Sequence, residues 1–167
     1  AVMDSLSPII PRSSLPLQIC LWFDGHLTWL LTGVVLALLV VKPYFLQYTG
    51  STLQWEFMLM LSYPPIQGVR NWFGTAGNKQ ERASYIAVFL WCSVWTVFVT
   101  GYFMKLQAYG IRLECELAFA ALGLAAAEVA LSFLAGIAFC DNVFDLVHLA
   151  VAFGACLAVL LIAFLIV

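Results

Sequence analysis

Charged residues are scarce in this sequence. Asp, Glu, Lys and Arg together make up only 10% of its 167 residues, whereas an ordinary soluble domain carries about a quarter. Hydrophobic residues account for 64% of the chain, and its mean hydropathy is +1.01. This composition excludes an ordinary soluble domain and indicates a polytopic membrane protein.

Sequence signatures of catalysis and ligand binding are also missing. The chain has no H-E-x-x-H motif, no G-x-x-x-x-G-K-[ST] loop, no Ser/His/Asp set and no N-x-[ST] glycosylation site. Its five cysteines stand singly, without a C-x-x-C pair, which favours buried apolar positions over disulfides or metal frameworks. The net charge of −2, without a basic run, provides no electrostatic basis for nucleic-acid binding. We therefore expect no catalytic residues, no cofactor, no metal site and no nucleic-acid partner.

Five apolar stretches are long enough to cross a membrane as helices. They cover residues 17–41, 53–73, 83–104, 113–139 and 143–167. The predicted fold is an all-α, polytopic helical bundle in which residues 17–139 form a four-helix core and residues 140–167 add a fifth transmembrane helix. Residues 1–16, rich in Pro and Ser, are predicted to be an irregular lead-in. Because the connections are short, sequential helices should be antiparallel neighbours.

The positive charges give a slight indication of orientation. Counted by predicted side, they favour a cytoplasmic N-terminus by four to three, namely Arg12, Arg70, Lys79 and Arg82 against Lys42, Lys105 and Arg112.

The segment GVRNWFGTAGN, residues 68–78, interrupts the apolar pattern with specific chemistry. Trp72 and Phe73 are predicted to end the second helix at the membrane surface, where aromatic rings prefer to lie. Gly74 and Gly77 are predicted to provide the positive φ angles of a tight turn. The prolyl pair at residues 64 and 65 predicts a kink or a break in the same helix.

Four glutamates fall within the predicted spans, and their depth separates them. Glu56, Glu114 and Glu116 lie within about a turn of their helix starts, where a carboxylate reaches interfacial water. Glu128 lies deep in the fourth span, so it is a candidate for an ion or proton relay. The alternative is a neutral or paired carboxyl that bridges helices, and we favour it because a relay needs several such groups. The candidate partners for the bridge are Gln67, Tyr63 and Ser62.

Two further sets of residues have competing interpretations. Asp141, Asp145 and His148 share one helical face, which suits a metal ion, but capping of the fifth helix by an aspartate is the better explanation. Asp24 and His26 are two residues apart and do not share a helical face.

Small residues recur at four-residue intervals on the last two helices. Ala150, Gly154 and Ala158 form one stripe, and Gly123 with Ala127 forms a shorter one. Such stripes allow close helix–helix packing, within the chain or with another protein. The ordinary Ala and Gly content of membrane helices explains them equally well.

Four motifs in order resemble a known family. They are SSLPLQI at residues 13–19, FDG at 23–25, FGTAGN at 73–78 after an arginine-bearing helix, and LQAYGIRLE at 106–114 before Glu128. Over residues 13–139 the chain resembles the ciliary transition-zone tetraspan family of transmembrane proteins 17, 80 and 216, most closely the 216/80 branch. The family-like positions are Arg70, Gly74, Thr75, Gly77, Asn78, Gln107, Tyr109, Arg112, Glu114 and Glu128.

The resemblance implies a non-enzymatic membrane component of the gate at the ciliary base. It implies tectonic, meckelin and B9-domain proteins as partners, a role in cilium assembly and membrane gating, and a multi-pass location in the ciliary or flagellar membrane among its lipids. Three features depart from the family pattern: Gln67 stands where an acid is expected three residues before Arg70, two prolines lie in the second helix, and a fifth span follows the fourth.

Three functional hypotheses follow. The first is a structural and interaction subunit of the cilium or flagellum. The second is an accessory subunit of another large complex in an organellar or plasma membrane, which the fifth helix motivates. The third is a small channel or carrier that uses Glu128 and an interrupted second helix.

Overall fold

The computed structural model describes residues 12–48, 50–140 and 142–165, apart from the side chain of residue 164. These residues form five α-helices and no strand, which confirms the all-α class. The helices are α1 (Leu15–Val41), α2 (Thr52–Gln80), α3 (Ala83–Gly101), α4 (Arg112–Phe139) and α5 (Val143–Leu165). A short 3-10 turn, Lys42–Tyr44, follows α1, and a π-helical segment, Tyr102–Leu106, follows α3.

α1 starts two residues before the predicted span. The hydroxyl of Ser14 caps it by accepting a hydrogen bond from the Leu17 N–H at 3.4 Å. Pro16 fits in the first turn because a backbone N–H has no helical acceptor there. The helix then continues through Asp24 and His26, and it buries Asp24 while His26 stays exposed. These two residues therefore lie on different faces, as their spacing predicted.

The prediction of a turn within residues 68–78 is wrong. α2 continues without interruption through this segment and ends at Gln80. The chain reverses at Glu81, which adopts the left-handed conformation with φ 54°. Trp72 and Phe73 therefore lie about two turns before the end of the helix.

Gly74 and Gly77 are helical, and their role is close packing. A Cβ atom on Gly74 would lie 2.7 Å from the ring of Phe89, and one on Gly77 would lie 2.8 Å from the Ile86 side chain. Both contacts are shorter than real Cβ atoms make, so the glycines let α3 approach α2 closely. The gain in packing offsets the low helix propensity of glycine.

The prolines at 64 and 65 do not break α2, so the alternative of a broken helix is wrong. The kink remains a prediction. Two prolines remove two backbone donors from the helix, and neighbouring packing has to compensate for them.

The first four helices form a ring in which each packs on the next and α4 returns to α1. α5 lies outside this ring and packs mainly on α3, with a smaller contact to α4. Two buried apolar clusters fill the bundle. One contains Leu31, Val35, Met60, Phe103 and Leu122, and the other contains Leu17, Ile86, Phe89, Val129 and Leu149.

Four of the helical stretches are long and apolar enough to cross a membrane. They are Leu15–Tyr44, Ala83–Leu106, Arg112–Phe139 and Val143–Ala163. α2 does not qualify by its own hydropathy, because it carries polar residues that the bundle buries, among them Glu56, Gln67, Arg70 and Asn78. Its 29 residues span roughly 44 Å at about 1.5 Å each, which is enough to cross. Its crossing therefore depends on partners inside the bundle, and it remains a prediction.

Candidate functional site

Arg70 lies at the centre of the bundle and is fully buried, at 0% exposure. Its Nη2 donates to Glu128 Oε2 on α4 at 2.6 Å, and its Nη1 donates to Asp24 Oδ2 on α1 at 3.1 Å. Its Nε donates to the hydroxyl of Ser93 on α3 at 2.8 Å. A single side chain on α2 thus joins all four helices of the ring.

Gln67, one helical turn before Arg70, extends this set of contacts. Its amide nitrogen donates to Asp24 at 2.9 Å and to Thr28 at 3.1 Å, and its amide oxygen accepts from the hydroxyl of Thr96 at 2.7 Å. The amide therefore links α1, α2 and α3 without adding a charge at a position where the resemblance leads us to expect an acid. We call Asp24, Gln67, Arg70, Ser93 and Glu128 the central network.

The charges of the central network do not cancel. One arginine faces two carboxylates, Asp24 and Glu128, so the formal net charge is −1 when all three are ionised. The guanidinium also lies 4.4 Å from the centre of the Phe89 ring, a cation–π contact that is stronger away from water. Buried ions require this many partners because removal from water costs several kcal/mol per ion.

Glu128 is therefore a paired carboxyl that bridges helices, the alternative favoured above, but its partner is Arg70. None of the three candidates named from the sequence makes this contact. Within the described residues, its second oxygen, Oε1, has no hydrogen-bond partner. A carboxylate held in this way fixes helix positions, and the pairing does not favour a freely exchanging relay.

A second buried network lies at the end of the bundle where α1 and α3 finish and α2 and α4 begin. Lys42, directly after α1, places its Nζ 2.5 Å from Glu114 Oε2 and 3.5 Å from Gln107 Oε1. Glu56 on α2 accepts hydrogen bonds from the Ala108 N–H at 2.6 Å and from the Tyr102 hydroxyl at 3.4 Å. We call Lys42, Glu56, Gln107 and Glu114 the end network.

The expectation that Glu56 and Glu114 reach interfacial water is wrong. Both are fully buried, at 0% exposure, because the connection between α3 and α4 folds over them. Glu116 does stay exposed, at 62%, and pairs with Arg112 at 2.7 Å. Depth along a helix therefore did not distinguish the buried carboxylates from the exposed one, whereas the face of the helix on which each lies did.

Tyr109 contacts the segment between α1 and α2. Its hydroxyl donates to the backbone oxygen of Gln47 at 2.8 Å, and its ring packs edge-on against Tyr48 with centroids 5.1 Å apart. Burial, together with the nearby carboxylates of Glu56 and Glu114, raises the pKa of Tyr48 to about 12. The phenol therefore stays neutral at physiological pH.

Asn78 holds the segment that precedes α1. Its Oδ1 accepts from the Ser14 N–H at 2.8 Å, and its Nδ2 donates to the Ser14 carbonyl at 2.9 Å. The Arg12 N–H donates to Glu81 Oε1 at 2.6 Å beside it. Thr75, one turn earlier, is half-buried. The GTAGN motif therefore performs packing through its glycines and tethering through its asparagine.

The small-residue stripes face outward. Ala127 and Ala150 are exposed, and so are the remaining three members, Gly123, Gly154 and Ala158. A Cβ atom on either glycine would meet nothing within 4 Å. α5 instead packs on the bundle through Leu149, Ala152, Cys156 and Leu160. Packing of the stripes against another protein remains a prediction.

The acidic and histidine residues near α5 do not form a recognisable metal site in the part described. Asp141 lies outside the described residues. Asp145 is in the first turn of α5, and His148 is exposed with its Nδ1 3.2 Å from the Phe144 carbonyl. Among the described residues there is no group of three His, Cys, Asp or Glu side chains that could hold a metal.

Sequence reasoning missed Asp24, Lys42 and Glu56 as members of buried networks. One signal was available, because residues 56, 63, 67 and 70 are polar and repeat at intervals of seven, four and three. This spacing puts them on one helical face.

The count of positive charges used for the orientation also changes, because Arg70 and Lys42 are buried. The exposed cations are then Arg12, Lys79 and Arg82 on the predicted N-terminal side and Lys105 and Arg112 on the opposite side. The excess stays on the N-terminal side.

Comparison with known proteins gave consistent matches. The profile of the Transmemb_17 family, described as a predicted membrane protein, matches residues 19–125. Transmembrane protein 216 of Homo sapiens is 28% identical over 102 residues, which cover 61% of this chain and 70% of that protein. The Rattus norvegicus protein of the same name is 29% identical over 104 residues, covering 61% and 72%. No solved structure matches the chain.

Proposed function

Because the chain belongs to the Transmemb_17 family, we propose that it is a non-enzymatic structural subunit of the ciliary or flagellar membrane, of the transition-zone type. The resemblance to the family of transmembrane proteins 17 and 216 is confirmed by the matching profile and by relatives named Transmembrane protein 216. The ciliary location, the role in cilium assembly and membrane gating, and the partners are carried over from that resemblance.

The observation that best supports a structural role is the position of Arg70. Its side chain is fully buried and contacts α1, α3 and α4 through Asp24, Ser93 and Glu128. Charges used in this way hold a bundle together and leave its outer faces apolar. The membrane-facing surface is then the part of the chain that can recognise another integral membrane protein.

The proposed partners are other integral membrane proteins, of the tectonic, meckelin and B9 type, together with membrane lipids. A tagged full-length chain expressed in ciliated cells should concentrate at the ciliary base and should co-purify with these proteins. Uniform labelling of mitochondria or plastids, with no transition-zone protein in the purified material, would contradict the ciliary proposal.

A second candidate function is an accessory subunit of a different membrane complex. It is favoured by α5, which lies outside the matched residues 19–125 and exposes Ala150, Gly154 and Ala158. Substitution Gly154→Leu should weaken co-purification with the native complex, while Val151→Leu, at an exposed neighbour outside the stripe, should not. Recovery of a large complex without transition-zone proteins, lost in Gly154→Leu, would support this candidate over the first.

A further inference from the structure

The connection between α3 and α4 borders a cavity of about 500 Å³. Lys105, Gly110, Arg112, Cys115 and Phe119 are among the residues that line it. All of these except Cys115 are exposed, so the cavity opens to the outside of the bundle. Its lining includes Gln107, Gly110 and Arg112 of the LQAYGIRLE motif, and Gln107 also belongs to the end network.

The cavity lies at the level where two membrane spans end. The span Ala83–Leu106 finishes on one side of it, and the span Arg112–Phe139 begins on the other. Groups at the ends of spanning helices lie among lipid headgroups. The cavity is therefore within reach of a lipid headgroup, while Phe119, two turns into α4, lies towards the acyl chains.

The formal charge of the cavity lining favours an anion, because two cations, Lys105 and Arg112, stand against one carboxylate, Glu116. Lys105 is exposed and has no hydrogen bond or ion pair to any other described residue. Arg112 is 92% exposed and, among the described residues, forms an ion pair with Glu116, of the weak kind typical of exposed side chains. Ile111, the residue before α4, carries no side-chain acceptor for the first N–H groups of the helix, and Glu114 Oε2 accepts from the Ile111 N–H itself at 3.2 Å.

We propose that this cavity binds the phosphate-bearing headgroup of an anionic phospholipid. Lys105 and Arg112 contact the phosphate, and Phe119 with Met104 lines the side next to the lipid chains. A lipid fits better than a free phosphate ion because the cationic residues and the apolar wall belong to one cavity at the membrane surface. The proposal is independent of the ciliary location and of the protein partners.

The test uses the full chain in bilayers of phosphatidylcholine that contain a minor fraction of phosphatidic acid. Native mass spectrometry counts the lipid molecules that stay bound to the protein when it is released from the bilayer. The wild-type chain should retain phosphatidic acid in preference to phosphatidylcholine. Lys105→Gln and Arg112→Gln should each lower this preference about fivefold, the effect of about one interfacial cation. Glu116→Gln should raise it, because it removes the competing negative charge.

Lys79→Gln is the matched control, since Lys79 is exposed but lies at the opposite end of the bundle. If Lys79→Gln lowers the retention of phosphatidic acid as much as Lys105→Gln does, the lipid binds through the overall charge of the protein and the proposal is wrong. Equal retention of both lipids also overturns it. A third arm adds soluble glycerol phosphate, and full displacement of phosphatidic acid at equal concentration would assign the site to a free anion.

Discussion

Removal of the Arg70 charge tests directly how much the central network stabilises the bundle. The substitution Arg70→Met keeps a long unbranched side chain but deletes the guanidinium that contacts α1, α3 and α4. Asp24 and Glu128 then remain buried without the cation that pairs with them among the described residues. The variant should therefore lose stability mainly through two carboxylates that have lost their counter-charge.

The magnitude follows from the contacts. Arg70 makes three interhelical polar contacts, to Asp24, Ser93 and Glu128. Polar contacts between membrane helices contribute about 0.6 kcal/mol on average and up to about 1.7 kcal/mol, so three give about 2 to 5 kcal/mol. Breaking one partner of a buried ion pair costs about 3 to 5 kcal/mol, which places the expected loss in the upper part of this range.

Glu128→Gln is the informative comparison. It removes one of two negative charges from a network whose formal net charge is −1, and an amide oxygen can still accept from Arg70. We expect a change below about 1 kcal/mol. The free energy of unfolding of each variant can be measured in mixed detergent micelles by titration with sodium dodecyl sulfate, followed by tryptophan fluorescence and helicity.

Two results would refute the reasoning about charge in the central network. One is a loss of less than about 1 kcal/mol for Arg70→Met, which would mean that the ion pairs add nothing beyond apolar packing. The other is an equal loss for Glu128→Gln and Arg70→Met, which would mean that shape, and not charge, determines the effect.

Three further predictions concern packing, tethering and the end network. Gly77→Ala should lower the free energy of unfolding by about 1 to 3 kcal/mol, because its Cβ would press on the neighbouring helix. Gly68→Ala has nothing within 4 Å of its Cβ, so it should raise the free energy of unfolding by up to about 1 kcal/mol. Equal effects of the two substitutions in a detergent titration would contradict the close-packing role. Asn78→Ala should release the segment before α1 and speed tryptic cleavage after Arg12, with little change in helix content; an unchanged cleavage rate would argue against the tether. Lys42→Met should destabilise the fold by about 3 kcal/mol because it leaves a buried carboxylate unpaired. Neutralising that carboxylate as well should recover part of the loss, and no recovery in the double variant would contradict the ion-pair explanation.

Much of the fold could be predicted from apolar runs alone. The start of α3 at Ala83, the end of α4 at Phe139 and the start of α5 at Val143 coincide with the predicted bounds. These limits are marked by charged or polar residues, because a spanning helix is as long as the apolar layer requires. The second helix was predicted too short, since its last two turns are polar and glycine-rich and resemble a turn by composition.

The site was only partly visible in the sequence. Glu128 attracted attention because a carboxylate deep in a span is costly, and its bridging role could be anticipated. Its partner could not, because Arg70 is 58 residues away and meets it only when α2 and α4 are in register. The same applies to Lys42 and Glu114, which are 72 residues apart in the chain.

The sequence by itself determined that this protein is an all-α membrane protein, that the described residues form five α-helices, and to which family the chain belongs. These properties depend on composition, periodicity and short motifs, which are local. Only the tertiary structure decided that Gly74 and Gly77 pack a helix instead of turning the chain, and that Arg70 is paired with carboxylates on α1 and α4. Burial is the physical reason, because the same charge or glycine has opposite consequences on an outer face and on an inner one, and the face is set by the neighbouring helices.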